Sequence, residues 1–158
     1  MADVFERLTQ LLRSRNARFR VIEHPAEGRS DLVAAIRGTV PGQGAKAMLC
    51  RSKDDSGQFV LAVLPGDRKL DFRKVAIAAG MRKATLASPE EVLQRTECVV
   101  GAVPPFSLSA DIRLVVDPAL VESHEEIAFN AGRLDRSIVL DSRDYVRIAE
   151  PLLQSLSI

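Results

Sequence analysis

Hydrophobic positions recur along the chain with two spacings, about 3.6 residues in some stretches and two residues in others, and these spacings predict helices and strands. Between Val4 and Arg15 the apolar residues lie three and four positions apart, which predicts an amphipathic helix. Alternation over Phe19–His24 predicts a strand that Pro25 ends. The same patterns predict further helices over 31–37, 72–79, 89–95 and 142–148, and further strands over 45–51, 58–64, 111–116, 127–130 and 137–140.

Residues with strong turn or cap preferences separate these elements. The polar segment 52–57 joins two apolar runs and therefore predicts a β-hairpin. Asp71 and Gly80 are residue types that begin and end a helix, and Ser88-Pro89-Glu90-Glu91 is typical of a helix start. Helices and hairpin-like strand pairs are mixed irregularly, which favours an α+β fold (mixed α/β) over a doubly wound parallel sheet.

Length and composition narrow the classes of protein. The 158 residues predict a single domain spanning 1–158 with a sizeable core. Aromatic residues make up only 4% of the chain, so a nucleic-acid site built from stacked aromatics is not expected. No apolar run reaches the length of about 18 residues that a membrane span needs, and the first residues lack a secretory pattern, so we expect a cytoplasmic protein without a membrane span. Cys50 and Cys98 lie in apolar runs and are expected to be buried free thiols.

Charge is distributed unevenly along the chain. The net charge is +1 overall, but it is +7 through Lys83 and −6 from Ala84 onward. This asymmetry predicts that a partner of one sign meets one side of the molecule. A basic segment contributes much of the positive charge, and it is either a phosphate-binding surface or a solvated helix face. Its members are Arg68, Lys69, Arg73, Lys74, Arg82 and Lys83.

The stretch Val99–Ser107 is the first candidate for a functional site. Gly101 has no Cβ, so another group can approach its backbone closely. Pro104 and Pro105 follow it and restrict the backbone, so that carbonyl and amide groups there can be held in fixed directions. Such a segment could form the wall of a binding site or a rigid corner between two strands.

Two further positions could carry chemistry. Lys46 begins an otherwise apolar strand, so it is either a fixed cation that meets an anionic or carbonyl oxygen or a lysine that reaches solvent at the strand end. Asn130-Ala131-Gly132 could border a site or form a turn after a strand. His24 and His124 are isolated from nucleophiles and from other metal ligands, and we expect structural roles for both. Neither a phosphate-binding loop nor a dinucleotide-binding glycine motif is present.

The order and spacing of several segments resemble the YbaK/EbsC/ProX family, the free-standing relatives of the editing domain that is inserted in bacterial prolyl-tRNA synthetases. The resemblance runs over residues 19–148 and implies a curved, partly barrel-like mixed sheet flanked by helices. The segments that carry it are Gly44–Met48, Val60–Asp67, Lys83–Val92, Gly101–Phe106, Val116-Asp117 and Phe129–Gly132.

The resemblance also implies an activity: hydrolysis of the ester bond in mischarged aminoacyl-tRNA, with a small amino acid on tRNA-Pro or a related tRNA. It implies a synthetase as a possible partner, no cofactor or metal, and no DNA. Lys46 matches the family's essential lysine, and Gly101 matches the glycine whose backbone lines the reacting centre. The residues expected to line the aminoacyl pocket are Leu32, Ile36, Met48, Val103, Pro104, Phe106, Asn130 and Gly132.

An aminoacyl ester is already activated, so hydrolysis does not require a strong protein nucleophile. The hypothesis is that the terminal adenosine and the substrate's own groups help to position water, while Lys46 orients the adenosine phosphate or the ester. Backbone groups near Gly101 would fix the α-amino group, the attacking water or the developing oxyanion. Two alternatives use the same chain: a non-catalytic module that binds an aminoacyl group, tRNA or a synthetase, and a regulator that acts by protein contact alone.

Overall fold

The computed structural model describes residues 2–54 and 56–158. Asp55, in the predicted hairpin segment 52–57, lies outside the described residues, as does Met1. A 3-10 turn covers Pro41–Gln43. The α-helices of the described residues are α1 (Val4–Ser14), α2 (Ser30–Arg37), α3 (Phe72–Ala79), α4 (Pro89–Thr96), α5 (Pro118–Glu122) and α6 (Ser142–Ala149). Their strands are β1 (Phe19–Glu23), β2 (Ala45–Ser52), β3 (Phe59–Pro65), β4 (Ala84–Leu86), β5 (Ile112–Val116), β6 (Glu126–Arg133), β7 (Arg136–Asp141) and β8 (Leu152–Leu153).

The strands form two sheets. One has the order β1-β7-β6 and is antiparallel throughout. The other has the order β4-β2-β3-β5-β8, with β3 and β8 parallel to β5 and the remaining pairs antiparallel. The predicted hairpin is the β2–β3 pair. The mixed α/β class is confirmed, with the strands divided between two sheets that do not close into a barrel.

Strand β3 is the centre of the larger sheet, and its apolar sequence is buried on both faces. Leu61 and Val63 belong to one hydrophobic cluster, and Val60, Ala62 and Leu64 belong to a second. Side chains alternate across a strand, so a continuous apolar run is what burial on both faces requires. The first cluster fills the space between the two sheets and α1, and the second lies under α3.

Local sequence explains where several helices begin and end. Asp71 accepts hydrogen bonds from two backbone N–H groups at the start of α3, and Gly80 ends that helix in the left-handed region at φ +69°. Ser88 and Glu91 form a reciprocal capping box at the start of α4. These predicted helix starts and the predicted helix end at Gly80 are confirmed. They were predictable because each depends on a few neighbouring residues.

The two sheets are joined where β2 begins. Gly44 forms a parallel bridge with Ala128 on β6, and the carbonyl of Gly44 accepts a hydrogen bond from Gly66 N. The turn after β3 and the start of β2 are thereby held against the smaller sheet, which leaves a cleft at the junction. In the described residues, no helix is both long and apolar enough to cross a membrane.

Both cysteines are buried free thiols, as predicted. Burial raises the pKa of Cys50 to about 12 and that of Cys98 to about 11. Thiols with such high pKa values are protonated at neutral pH and therefore unreactive.

Candidate active site in the cleft between the two sheets

The cleft at the junction of the sheets is narrow, with about 50 Å³ of internal space. Its lining comes from five places: the loop before α2, α2 itself, the start of β2, the loop that contains Gly101, and β6. Residues from different parts of the chain thus meet around one small space. The lining residues are Gly28, Ser30, Val33, Arg37, Gly44, Ala45, Lys46, Ala47, Gly101, Val103 and Asn130.

Two glycines let two loops approach each other at the cleft. Gly101 has φ +89°, and a Cβ built on it would lie 2.9 Å from Gly28 Cα and 3.1 Å from Gly28 O. A side chain at position 101 would therefore be strained by its backbone conformation and would also collide with the facing backbone. The close approach expected at Gly101 is thus present, and the group that approaches is the backbone of Gly28.

Asn130, on β6, holds these same two loops together. Its Nδ2 donates to the carbonyl of Gly101 at 2.9 Å and to the carbonyl of Glu27 at 2.8 Å. Its Oδ1 accepts from Ser137 Oγ at 3.0 Å. Because the Asn130 side chain is buried and uses both donors, it fixes the direction of the Gly101 backbone relative to the sheet.

Arg37 lies at the end of α2 and is only 9% exposed. Its Nε donates to Ser137 Oγ at 2.7 Å, and its Nη2 donates to Asn130 Oδ1 at 3.0 Å. Both partners are neutral, and no described carboxylate lies within ion-pair distance. Burial lowers the pKa of Arg37 to about 10, which still leaves the guanidinium charged at neutral pH.

Lys46 supplies a second cation at the edge of the cleft. It is half-buried, and its Nζ donates to the main-chain carbonyl of Arg68 in the turn after β3. Burial lowers the pKa of Lys46 from its ordinary value, and the nearby carboxylate of Asp67 partly opposes that change. The turn thus holds the ammonium group, and no carboxylate of residues 2–54 or 56–158 lies within ion-pair distance of it.

A third feature is the positive surface next to Lys46. Arg68, Lys69 and Arg73 are exposed, and none of them pairs with a carboxylate in the part of the chain that the structure describes. Asp71 is occupied as the cap of α3. Apart from the carboxylate of Asp67 near Lys46, the exposed charged residues of this segment are therefore positive.

Comparison with known proteins identifies the family to which these features belong. The family model for the aminoacyl-tRNA editing domain matches residues 24–148, which include the whole lining of the cleft. The chain belongs to the aminoacyl-tRNA editing domain family. It is 49% identical over 149 residues to the multifunctional Ser/Thr-tRNA deacylase ProXp-y of Escherichia coli K12, an alignment that covers 94% of this chain and 89% of that protein.

Two other relatives show how widely this editing domain occurs. The chain is 29% identical over 137 residues to a proline–tRNA ligase of Methylobacillus flagellatus, where the match covers 85% of this chain but 23% of the ligase. The crystal structure of the hypothetical protein APE2540 superposes with a TM-score of 0.87 at 25% identity, over 97% of this chain and all of that one. The chain is thus similar both to a protein that consists of this domain alone and to one segment of a much longer ligase.

Four residues that the sequence pointed to in this editing domain line the cleft: Lys46, Gly101, Val103 and Asn130. The structure therefore brings the candidate cation and the candidate glycine to one site. Gly28 and Arg37 line it as well, and neither was expected there from the sequence. Val33 and Arg37 are four residues apart and therefore lie on the same face of α2. That spacing was the available signal for the buried face, but an arginine is not expected on a buried face.

Other predicted pocket residues lie outside this cleft. Leu32 and Ile36 are 44% and 41% exposed, because α2 buries Val33, Ala34 and Arg37. Met48 packs against the second hydrophobic cluster, on the opposite face of β2 from Ala47. Their assignment to an aminoacyl pocket stays a prediction that the geometry of this cleft does not support.

Gly132, Pro104 and Phe106 are also placed elsewhere. Gly132 packs against α1, since a Cβ on it would lie 2.8 Å from Val4 Cγ1. Phe106 packs edge-on against Tyr145, at 5.1 Å between ring centroids. Pro104 and Phe106 line a second cleft of about 300 Å³, to which Val103 also contributes.

The second cleft differs from the first in its charges. Its arginine, Arg95, stacks over the ring of Phe59 at 4.3 Å and lies 3.5 Å from Asp111, and its Glu97 pairs with Arg7 at 2.7 Å. These charged groups already have partners within the protein. The first cleft has two cations with no carboxylate within ion-pair distance in the described part of the chain, and it is therefore the better candidate for an anionic or ester ligand.

His24 has a structural setting behind the first cleft. Its Nε2 lies 2.7 Å from Ser137 Oγ, and its Nδ1 lies 2.8 Å from the carbonyl of Pro25. Among the described residues, no group of three or more His, Cys, Asp or Glu side chains could hold a metal ion.

Proposed function

We propose that this protein hydrolyses the ester bond of mischarged aminoacyl-tRNA and releases a small amino acid such as serine or threonine. The observation that carries the proposal is the narrow cleft of Lys46, Arg37 and Gly101 in a chain of the aminoacyl-tRNA editing domain family. The similarity to a Ser/Thr-tRNA deacylase supports the choice of these amino acids.

The size of the cleft supports selection by size. A space of about 50 Å³ accepts a few non-hydrogen atoms and excludes a large side chain. A synthetase gains only about 1–3 kcal/mol from one methylene when it chooses between similar amino acids, so a second site that removes the smaller product raises accuracy. A narrow, nearly pre-formed cleft suits that second selection.

Hydrolysis at this site needs positioning more than a protein nucleophile. Water adds to the carbonyl carbon of the ester, negative charge develops on the carbonyl oxygen, and the bond to the ribose oxygen then breaks as that oxygen takes up a proton. Among the described residues, the lining of the cleft contains no Asp, Glu, His or Cys. The proton is therefore carried by water or by the substrate's own amino and hydroxyl groups, while Lys46 and the Gly101 backbone orient the ester.

The positive surface beside Lys46 supports contact with the tRNA backbone. Arg68, Lys69 and Arg73 extend positive charge from the edge of the cleft, where the phosphate of the terminal nucleotide would lie. Backbone phosphates bind such surfaces without sequence preference, which suits an enzyme that must accept the common end of a tRNA. A substrate of this kind, and a synthetase as a possible partner, support a cytoplasmic location for the protein.

The test is a time course of ester loss from tRNA-Pro charged with serine, threonine, alanine or proline. Hydrolysis that continues past one equivalent of substrate per protein, and that is fastest with serine or threonine, supports the proposal. A non-catalytic module that binds an aminoacyl group would instead protect one equivalent of ester from spontaneous hydrolysis. Protection without turnover would therefore overturn the proposed activity.

A further inference from the structure

Arg37 is a buried cation whose hydrogen-bonding capacity is only partly used. The guanidinium has five N–H donors, and the described protein groups accept from Nε and from one N–H of Nη2. No described residue accepts a hydrogen bond from Nη1. A Cβ on Gly44, which also lines the cleft, would lie 3.8 Å from this Nη1. Nη1 therefore lies at the cleft with its donors unused.

Leaving such a charge without a counter-ion is costly in a folded protein. Removing an ion from water carries a large desolvation penalty, and a nearby carboxylate is the usual compensation. Here the partners are a hydroxyl and an amide oxygen, which satisfy hydrogen bonds but carry no negative charge. The arrangement is suited to a group that becomes negative only when a ligand is present.

The same partners hold Arg37 in a fixed position relative to Gly101. Asn130 accepts from Arg37 Nη2 and donates to the Gly101 carbonyl, so one buried side chain connects the cation with the loop. Ser137 Oγ donates to Asn130 and accepts from Arg37 Nε, which fixes the plane of the guanidinium. A donor fixed in advance loses little free energy to reorganisation when charge develops next to it.

We propose that Arg37 donates a hydrogen bond from Nη1 to the carbonyl oxygen of the bound ester and stabilises the negative charge that develops there during hydrolysis. The proposal rests on the proposed deacylase function and assigns this step to a residue of α2. Arg37 then acts on the reacting atoms, and Lys46, held by the turn at the edge of the cleft, acts on the phosphate side of the substrate.

A different role for the same donor would be recognition of the hydroxyl group of serine or threonine. A full positive charge in a buried setting contributes more to an oxygen that becomes negative than to a neutral hydroxyl. The two roles differ in their substrate dependence. A group that stabilises the oxyanion affects every aminoacyl ester, whereas a group that recognises a hydroxyl affects only serine and threonine.

The experiment measures kcat and KM of the wild type and of Arg37→Gln and Arg37→Lys on tRNA-Pro charged with serine, threonine or alanine. Arg51→Gln is the matched control, since Arg51 lies outside the cleft and pairs with Glu91 at 3.4 Å. We expect Arg37→Gln to lower kcat about 100-fold with all three esters, as loss of an oxyanion donor does, with little change in KM. Arg37→Lys, which keeps the charge, should recover part of that loss.

A second readout separates this role from a structural one. In Arg37→Ala, free guanidinium ion at millimolar concentration should restore part of kcat, because it can occupy the vacated position. Four results would overturn the proposal. Two concern folded Arg37→Gln: an unchanged kcat, or a change in KM alone. The others are a loss of activity with the serine and threonine esters only, and no recovery of kcat by either Arg37→Lys or guanidinium. Absence of hydrolysis by the wild type would overturn the proposed deacylase function itself. The same assay therefore distinguishes failure of that function from failure of the role proposed for Arg37.

Discussion

Arg18 and Arg37 differ in burial and in charge pairing, and the pairing is the reverse of what stability alone would favour. Arg18, whose side chain is 71% exposed, lies 3.2 Å from Asp141 and 3.2 Å from Asp144. Arg37, which is 9% exposed, has no carboxylate partner among the described residues. An exposed charge needs a partner least and a buried one needs it most.

The difference shows which charges serve the fold and which are available to a ligand. Asp144 accepts from the backbone N–H of Arg18 at 2.8 Å and lies 3.3 Å from Arg147, so this paired region connects the start of β1 with α6. In the cleft, the described groups that accept hydrogen bonds from Arg37 and Lys46 are neutral. Substitutions in the paired region are expected to change the free energy of unfolding, and substitutions in the cleft are expected to change deacylation.

The largest effect is expected from Lys46→Ala. Loss of the ammonium should lower deacylation more than about 100-fold, since the substrate loses the cation that positions its terminal phosphate and a misplaced ester reacts far more slowly. The free energy of unfolding should change by less than about 1 kcal/mol, because the lost hydrogen bond is to one turn carbonyl. Single-turnover hydrolysis and urea denaturation measure the two effects, with Lys53→Ala, an exposed lysine away from the cleft, as the control. A Lys46→Ala protein with wild-type activity would refute its role.

The next effect is expected from Gly101→Ala, compared with Gly38→Ala. Both glycines have positive φ, +89° and +74°, but a Cβ on Gly38 meets nothing within 4 Å. Gly38→Ala should therefore cost about 1–2 kcal/mol of stability and leave activity intact. Gly101→Ala should add the collision with Gly28 and widen the cleft, so that both stability and deacylation fall. Equal effects of the two substitutions would argue against a close Gly28–Gly101 contact.

Asp144→Asn should give the opposite result from the cleft variants. We expect it to lower the free energy of unfolding at pH 7 by about 1 kcal/mol and to leave deacylation unchanged. The backbone N–H of Arg18, its side chain and that of Arg147 lower the pKa of Asp144. Its contribution is therefore present above the unfolded pKa of about 3.9 and is lost as the pH falls through the lower folded value. The difference from wild type, measured by urea denaturation, should shrink on acidification, and a loss of deacylation would contradict the comparison.

The smallest effect is expected on the positive surface. Arg73→Ala should weaken tRNA binding slightly and reduce the slope of log affinity against log salt by about 0.7–0.9, the value for one phosphate contact. Arg143→Ala, an exposed arginine on α6 in the paired region, is the control. Fluorescence anisotropy over a series of salt concentrations measures both. Equal slopes for Arg73→Ala and wild type would place the tRNA on another surface.

Local signals in the sequence were sufficient for much of the fold. The caps at Asp71 and Ser88 depend on neighbouring residues and were predictable. Strands β4 and β8 and helix α5 were not predicted, because two to five residues are too few to show a period. Their existence depends on the neighbouring strands and turns that they pack against.

The site was predictable only in part. Lys46 and Gly101 could be selected from the resemblance and from their unusual settings in the sequence. Arg37 could not be selected from the sequence. Its hydrogen-bond partners, Asn130 and Ser137, are about 100 residues away along the chain, so its burial beside neutral groups is visible only in the folded protein. The sequence predicts Leu32 and Ile36 on the pocket side of α2, but that helix buries the face with Val33.

The most direct test of the account is a crystal structure of the protein with seryl-adenosine in which an amide replaces the ester. The account predicts that the aminoacyl group lies in the cleft between Lys46 and Gly101, with its carbonyl oxygen within hydrogen-bond distance of Arg37 Nη1. Occupancy of the cleft lined by Pro104 and Phe106, with Arg37 Nη1 left without a ligand, would contradict it.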